Sequence, residues 1–212
     1  MSNLTKLFRF VITTAAKYKI DESHGLIHSM NTLHYTHEIF SNEAIRYPFM
    51  REQEKVAYIA AVIHDMCDKK YMDQEKGIRE IRSFFKDDVT QDEMDMVATI
   101  LGTMSYSTVK KNGFPELNTW QRTYHCVREA DLLGAYDFDR CIIFNLANND
   151  TTIEGAFHNA MELFESRVFR HRKDGLFQLR YSRCKSMLLE KQAHIRIRHW
   201  RDLIQKTTTP LI

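Results

Sequence analysis

Apolar residues recur every three to four positions along nearly the whole chain, and no segment alternates with the period of two that a half-buried strand requires. Leu4, Leu7, Phe8, Val11, Ile12 and Ala15 set the first such stripe. The pattern predicts helices over about 3–18, 24–40, 51–67, 73–85, 91–104, 117–134, 137–148, 152–168 and 176–200. Start signals agree with several of these boundaries. Ser23 stands before the second helix, Thr90 has Glu93 at capping-box spacing, and Thr151 precedes Ile153-Glu154. Gly113-Phe114-Pro115 and Asp174-Gly175 interrupt the pattern, and residues 105–116 read as a long ordered loop. The expected architecture is all-α, a single-domain helical bundle.

Composition supports that reading. Three prolines and seven glycines among 212 residues are too few for a turn-rich β fold. The length suits one domain over 1–212 with a core of its own. No apolar run approaches the roughly 18–20 residues that a membrane span needs. The cationic start, MSNLTKLFRFVITTAAKYKI, keeps helical spacing and reads as a packed first helix rather than a transit peptide. Cys67, Cys126, Cys141 and Cys184 lie far apart without metal-knuckle spacing. Reduced thiols and a cytoplasmic location are the expectation.

Charge is uneven. The net value is +2, yet residues 166–201 hold eleven Lys or Arg against Asp174 and Glu190 alone. Such a segment suits an anionic ligand, nucleic acid or an acidic surface of the same fold, and equally a solvated helix face.

The chemistry concentrates in YIAAVIHDMCDKKY, residues 58–71, where an apolar run ends in His64-Asp65. Imidazole beside carboxylate is a ligand pair for a divalent cation of intermediate hardness. Asp68 supplies a candidate proton acceptor, and Lys69 and Lys70 supply candidate anion contacts, a combination that suits hydrolysis of a phosphate ester or anhydride. Two ligands hold a cation poorly, so partners are needed. His24 and His28, four apart, share a face of the second helix; Gly25 stands where a zinc protease would carry glutamate. His34 and His37 need no special role. Asp131 is an acid inside an apolar helix, either a hydrogen-bonded structural carboxylate or a ligand.

The order of these blocks resembles the HD superfamily of metal-dependent phosphohydrolases, within it the small stand-alone branch that includes bacterial nucleotide pyrophosphohydrolases. Asp21-x-Ser23-His24-Gly25-x-x-His28, Ile63-His64-Asp65-Met66-Cys67-Asp68-Lys69-Lys70-Tyr71, Met104-Ser105-Tyr106-Ser107 and Val127-Arg128-Glu129-Ala130-Asp131 carry the resemblance across roughly residues 21–170. It implies a bundle of the HD-domain type, a core at about 21–170 and a basic helical extension at 171–212. It implies His28, His64, Asp65 and Asp131 as metal ligands, with His24 behind them. It further implies Asp68 as the proton acceptor and Lys70 as the phosphate contact. Ser105 and Ser107, with Lys110 and Lys111, could close over a polyphosphate as a mobile loop, or equally form a plain solvated connection. Arg128-Glu129 before Asp131 and Leu132-Leu133 after it depart from the family pattern, which puts substrate contacts in question more than metal binding.

The expected cofactor is one divalent ion, with Mn, Fe, Co, Ni, Zn and Mg all compatible with nitrogen and oxygen ligation. His125 is the one histidine between Asp65 and Asp131, which favours a mononuclear site and disfavours dioxygen chemistry. The expected substrate is a small phosphorylated metabolite, foremost a nucleotide. No membrane partner is expected, nucleic acid is not the expected partner, and self-association is left open. The alternative is a metal-containing binding or regulatory module that uses its basic C-terminal face for nucleic acid or a protein. A hydrolase of signalling nucleotides ranks lower, because the Gly-x-x-x-x-P that follows the HD pair in those branches is missing.

Overall fold

A computed structural model describes the backbone of residues 3–208. Ten α-helices and four short 3-10 turns make up its regular structure, and there is no strand among the described residues. The described chain packs as two compact units that meet in sequence at Asp131.

The first unit holds α1 (Asn3–Tyr18), α2 (Leu26–Arg46), α3 (Glu54–Ile63), α4 (Gln74–Phe85), α5 (Gln91–Thr103), α6 (Tyr106–Asn112) and most of α7 (Gln121–Gly134). Its centre is α3. Val56, Ala57 and every residue from Ile59 to Ile63 are buried on it, an apolar surface nearly all round that only an enclosed helix can satisfy. Helices α1, α2 and α5 pack against it. Thr90 and Glu93 form the expected capping box at the start of α5, with both reciprocal hydrogen bonds made.

Several boundaries differ from those the pattern predicts. The second helix begins after Gly25, because Asp21 accepts the Ser23 amide and holds residues 21–25 in turns. The expected 51–67 helix is α3 flanked by two 3-10 turns, Pro48–Gln53 and His64–Cys67. Thr152 rather than Thr151 caps α9 (Ile153–Ser166), its hydroxyl accepting from the Gly155 amide. The expected loop at 105–116 is corrected most. Residues 106–112 are helical, because the Ser105 hydroxyl accepts the Thr108 amide and Gly113, at φ 76°, closes the far end.

The second unit contains the end of α7, α8 (Phe138–Asn148), α9 and α10 (Arg180–Thr208). Phe138 and Phe164 meet edge to face at 5.1 Å in its core. The basic segment is partly neutralised within the unit. Arg196 grips Asp139 through Nε (2.8 and 3.0 Å) and Nη2 (2.5 Å), and the Trp200 indole donates to the same carboxylate at 2.7 Å. Arg172 pairs with Glu190, and Arg170 with Asp174 at 3.6 Å. No helix among the described residues is long and apolar enough to cross a membrane.

Candidate metal centre

The buried helix α3 delivers His64 and Asp65 to the interior of the first unit. The chain tightens to a 3-10 turn at His64–Cys67 and leaves it in extended conformation at Asp68 (ψ 134°). Helix α2 brings His28, and α7 brings Asp131. His28, His64 and Asp65 are buried, whereas the Asp131 side chain keeps 28% exposure and marks the open side of the site.

The four side chains converge. His28 Nε2 lies 3.0 Å from His64 Nε2, 3.4 Å from Asp65 Oδ2 and 3.2 Å from Asp131 Oδ1. His64 Nε2 lies 3.2 Å from Asp65 Oδ2 and 3.5 Å from Asp131 Oδ1. Metal–ligand bonds of about 2.1 Å set neighbouring donors about 3.0 Å apart at right angles and about 3.4 Å apart at the tetrahedral angle. The separations among His28, His64 and Asp65 match that range, so these three residues fit a divalent cation, and Asp131 Oδ1 approaches the same two imidazole nitrogens. A second observation agrees. His64 Nδ1 lies 2.9 Å from the Ala61 carbonyl, which can only accept, so the ring carries its proton there and turns the Nε2 lone pair toward the cluster.

Electrostatics follow from this crowding. Burial works against a charged His64, but the carboxylates of Asp65 and Asp131 outweigh it and raise the imidazole pKa well above its ordinary value. Burial likewise opposes ionised Asp65 and Asp131, and the surrounding imidazoles overcome it, holding both carboxyls far below the usual range. The two carboxylates thus favour positive charge at the centre of the cluster.

Asp68 is where the structure departs from a simple helical extension. It lies outside the helix, and its Oδ1 accepts the Lys70 amide at 2.8 Å, which fixes the carboxylate and folds the Lys69-Lys70 turn. Lys69 and Lys70 are both exposed, and Lys70 Nζ reaches His24 Nε2 at 3.3 Å. His24 is buried, with Nδ1 at 2.7 Å from Ser23 Oγ and 3.0 Å from the Tyr71 hydroxyl, and its ring meets that of His28 edge-on at 6.3 Å. The Tyr71 hydroxyl donates to Asp21 Oδ2 at 2.5 Å. The pattern of residues alone did not single out Asp21 and Tyr71 for this; the signal was their place at the two ends of the His24 and Lys70 blocks.

Ser105, Ser107, Lys110 and Lys111 are exposed, and their contacts run along α6 itself. Ser105 Oγ donates to Thr108 Oγ1 at 2.7 Å and lies 3.3 Å from Ser107 Oγ, while Lys110 donates to the Tyr106 hydroxyl at 3.3 Å. The expected mobile loop is therefore a capped helix.

Beside the cluster, α7 buries Arg128 and Glu129. The guanidinium donates to Glu129 Oε1 at 3.2 Å and lies over the Phe114 ring at 4.7 Å. His125, also buried, has its pKa pushed down to about 3, by burial first and then by Arg128 and Arg122.

A crystal structure of a protein from Lactobacillus plantarum, a Northeast Structural Genomics target, is similar to this chain. The likeness has a TM-score of 0.67 at 16% identity and covers 96% of this chain and 97% of that one. It bears on the fold, and agrees with the all-helical architecture. No family model matches the chain, and no curated protein matches it.

Proposed function

We propose that this chain is a metal-dependent phosphohydrolase of the HD type acting on a small phosphorylated metabolite, foremost a nucleotide. The observation that carries the reading is the cluster of His28, His64 and Asp65, whose Nε2 and carboxylate oxygens stand 3.0–3.4 Å apart, with Asp131 Oδ1 at 3.2 and 3.5 Å from the two imidazoles. These four residues would hold one divalent ion. When bound, it supplies a water acidic enough to ionise near neutral pH and a positive centre for a phosphoryl oxygen.

The remaining steps belong to the chain. Asp68, with one oxygen anchored by the Lys70 amide, is the proton acceptor. Lys70 neutralises the oxygens of the departing phosphate. The partly exposed Asp131 lies on the side from which substrate enters, while the buried α3 excludes water from the opposite side.

The test is turnover of a nucleotide panel by manganese-loaded protein, reading phosphate and pyrophosphate separately, with His64→Ala and Asp68→Ala alongside. Loss of activity in both variants supports the enzyme, and pyrophosphate from a triphosphate identifies anhydride cleavage. An inactive wild type with full metal occupancy sinks it.

A second reading is a binding module, favoured by the exposed Lys191, Arg198 and Arg201 along α10. Salt-sensitive binding of RNA or DNA without turnover would support it.

A further inference from the structure

We infer that His24 is a positioning residue for the ammonium of Lys70, acting through that lysine rather than on the ligands of the cation. The inference rests on the reading above that Lys70 meets the phosphoryl group, and it assigns the neighbouring residues a role within it.

An ammonium only donates, so the contact of 3.3 Å between Lys70 Nζ and His24 Nε2 places the imidazole lone pair toward the lysine. The ring proton then belongs on Nδ1, where Ser23 Oγ at 2.7 Å and the Tyr71 oxygen at 3.0 Å are both able to accept. Tyr71 is free to accept there because its own proton goes to Asp21 Oδ2 at 2.5 Å. Asp21 also holds the turn through the Ser23 amide at 2.9 Å. Asp21, Tyr71, His24 and Lys70 thus form a directional chain of hydrogen bonds whose last member is the cation.

Lys70 is an exposed side chain with four rotatable bonds on a two-residue turn, and the hydrogen bond to His24 restrains its ammonium, which helps a phosphate clamp. Buried His24 gives it a fixed acceptor on the face of α2's entry turn, one ring away from His28. Held by His24, whose ring meets that of His28, the Lys70 ammonium would meet a tetrahedral oxyanion from one position.

The experiment measures orthophosphate affinity by calorimetry on manganese-loaded protein, with manganese stoichiometry determined for each variant. His24→Leu is expected to weaken orthophosphate binding about tenfold while keeping the manganese, about 1.4 kcal/mol. His24→Gln, whose amide oxygen can accept from Lys70, is expected to recover most of that loss. Added to Lys70→Met, His24→Leu is expected to change little, since its effect passes through the lysine. Tyr71→Phe removes the hydroxyl without disturbing packing and is expected to weaken binding a few-fold, which keeps the test intact if His24→Leu fails to fold.

Three results overturn the inference alone: His24→Leu with wild-type phosphate affinity, loss of manganese in His24→Leu, or a full additional loss on top of Lys70→Met. If Lys70→Met itself binds orthophosphate like the wild type, the anion role of Lys70 falls and the inference falls with it.

Discussion

His64 directs its Nδ1 proton to the Ala61 carbonyl at 2.9 Å, one turn back on the helix it terminates. A side chain held in this way presents only Nε2 to the cluster. In the metal-free protein that nitrogen carries a proton near neutrality, because its pKa is well above the ordinary value. A cation must displace that proton. Calorimetric titration with Mn²⁺ or Zn²⁺ in buffers of different ionisation enthalpy should therefore show release of about one proton per ion at neutral pH. Affinity should rise with pH until the metal-free imidazole is itself neutral. The same linkage stabilises the metal-free fold below pH 6.5, the unfolded value, and that contribution is lost as pH rises through the folded pKa.

Gly77 gives a structural test of the site. A Cβ at this position would stand 2.6 Å from Cys67 Cβ and 3.0 Å from Cys67 Cα, inside the turn that carries His64 and Asp65. Gly77→Ala should push α4 off that turn, lowering stability by about 1–3 kcal/mol in thermal denaturation and weakening metal binding. Gly102→Ala is the control. Nothing lies within 4 Å of its added methyl, and relief of helix-interior glycine should leave the protein as stable or raise stability by about 0.5–1 kcal/mol.

His125 predicts an acid limit. Its folded pKa of about 3 lies below that of an unfolded histidine, so between those values the unfolded chain binds the extra proton. Stability should fall as pH drops below about 6.5 and the loss should level off near the folded value. His125→Gln should flatten this dependence. Relative to its own value at pH 7, it should retain on the order of 3 kcal/mol more than the wild type near pH 4, read by urea denaturation across that range. Parallel pH profiles for the two proteins would refute the assignment.

Ser105→Ala separates capping from metal binding. Loss of the hydroxyl that accepts the Thr108 amide should lower stability by about 1 kcal/mol, while manganese affinity stays at the wild-type value. Chemical denaturation and metal titration on the same variant read both.

Much of this was legible in the chain itself. The stripe from Leu4 to Ala15 marks α1, which runs Asn3–Tyr18, and the Thr90–Glu93 pair marks the start of α5. Composition and period established the all-helical class. The resemblance implies that His28, His64, Asp65 and Asp131 meet; the structure clusters the first three, with Asp131 beside the two imidazoles. Other features depend on contacts that spacing does not encode. Helix α6 is seven residues long and mostly polar, so periodicity gave it no weight, and its stop is set by the left-handed backbone of Gly113. The departure of Asp68 from the helix reflects a local carboxylate–amide bond to Lys70. The excess of cations in 166–201 is softened by Asp139, which lies outside that segment and accepts from Arg196 and Trp200.

The burial of α3 on nearly every side ties the cluster to the core. A helix walled in this way cannot rotate or slide to readjust His64 and Asp65 without unpacking α1, α2 and α5. An ion held there should therefore raise the melting temperature, and heating should release it only where the bundle itself comes apart.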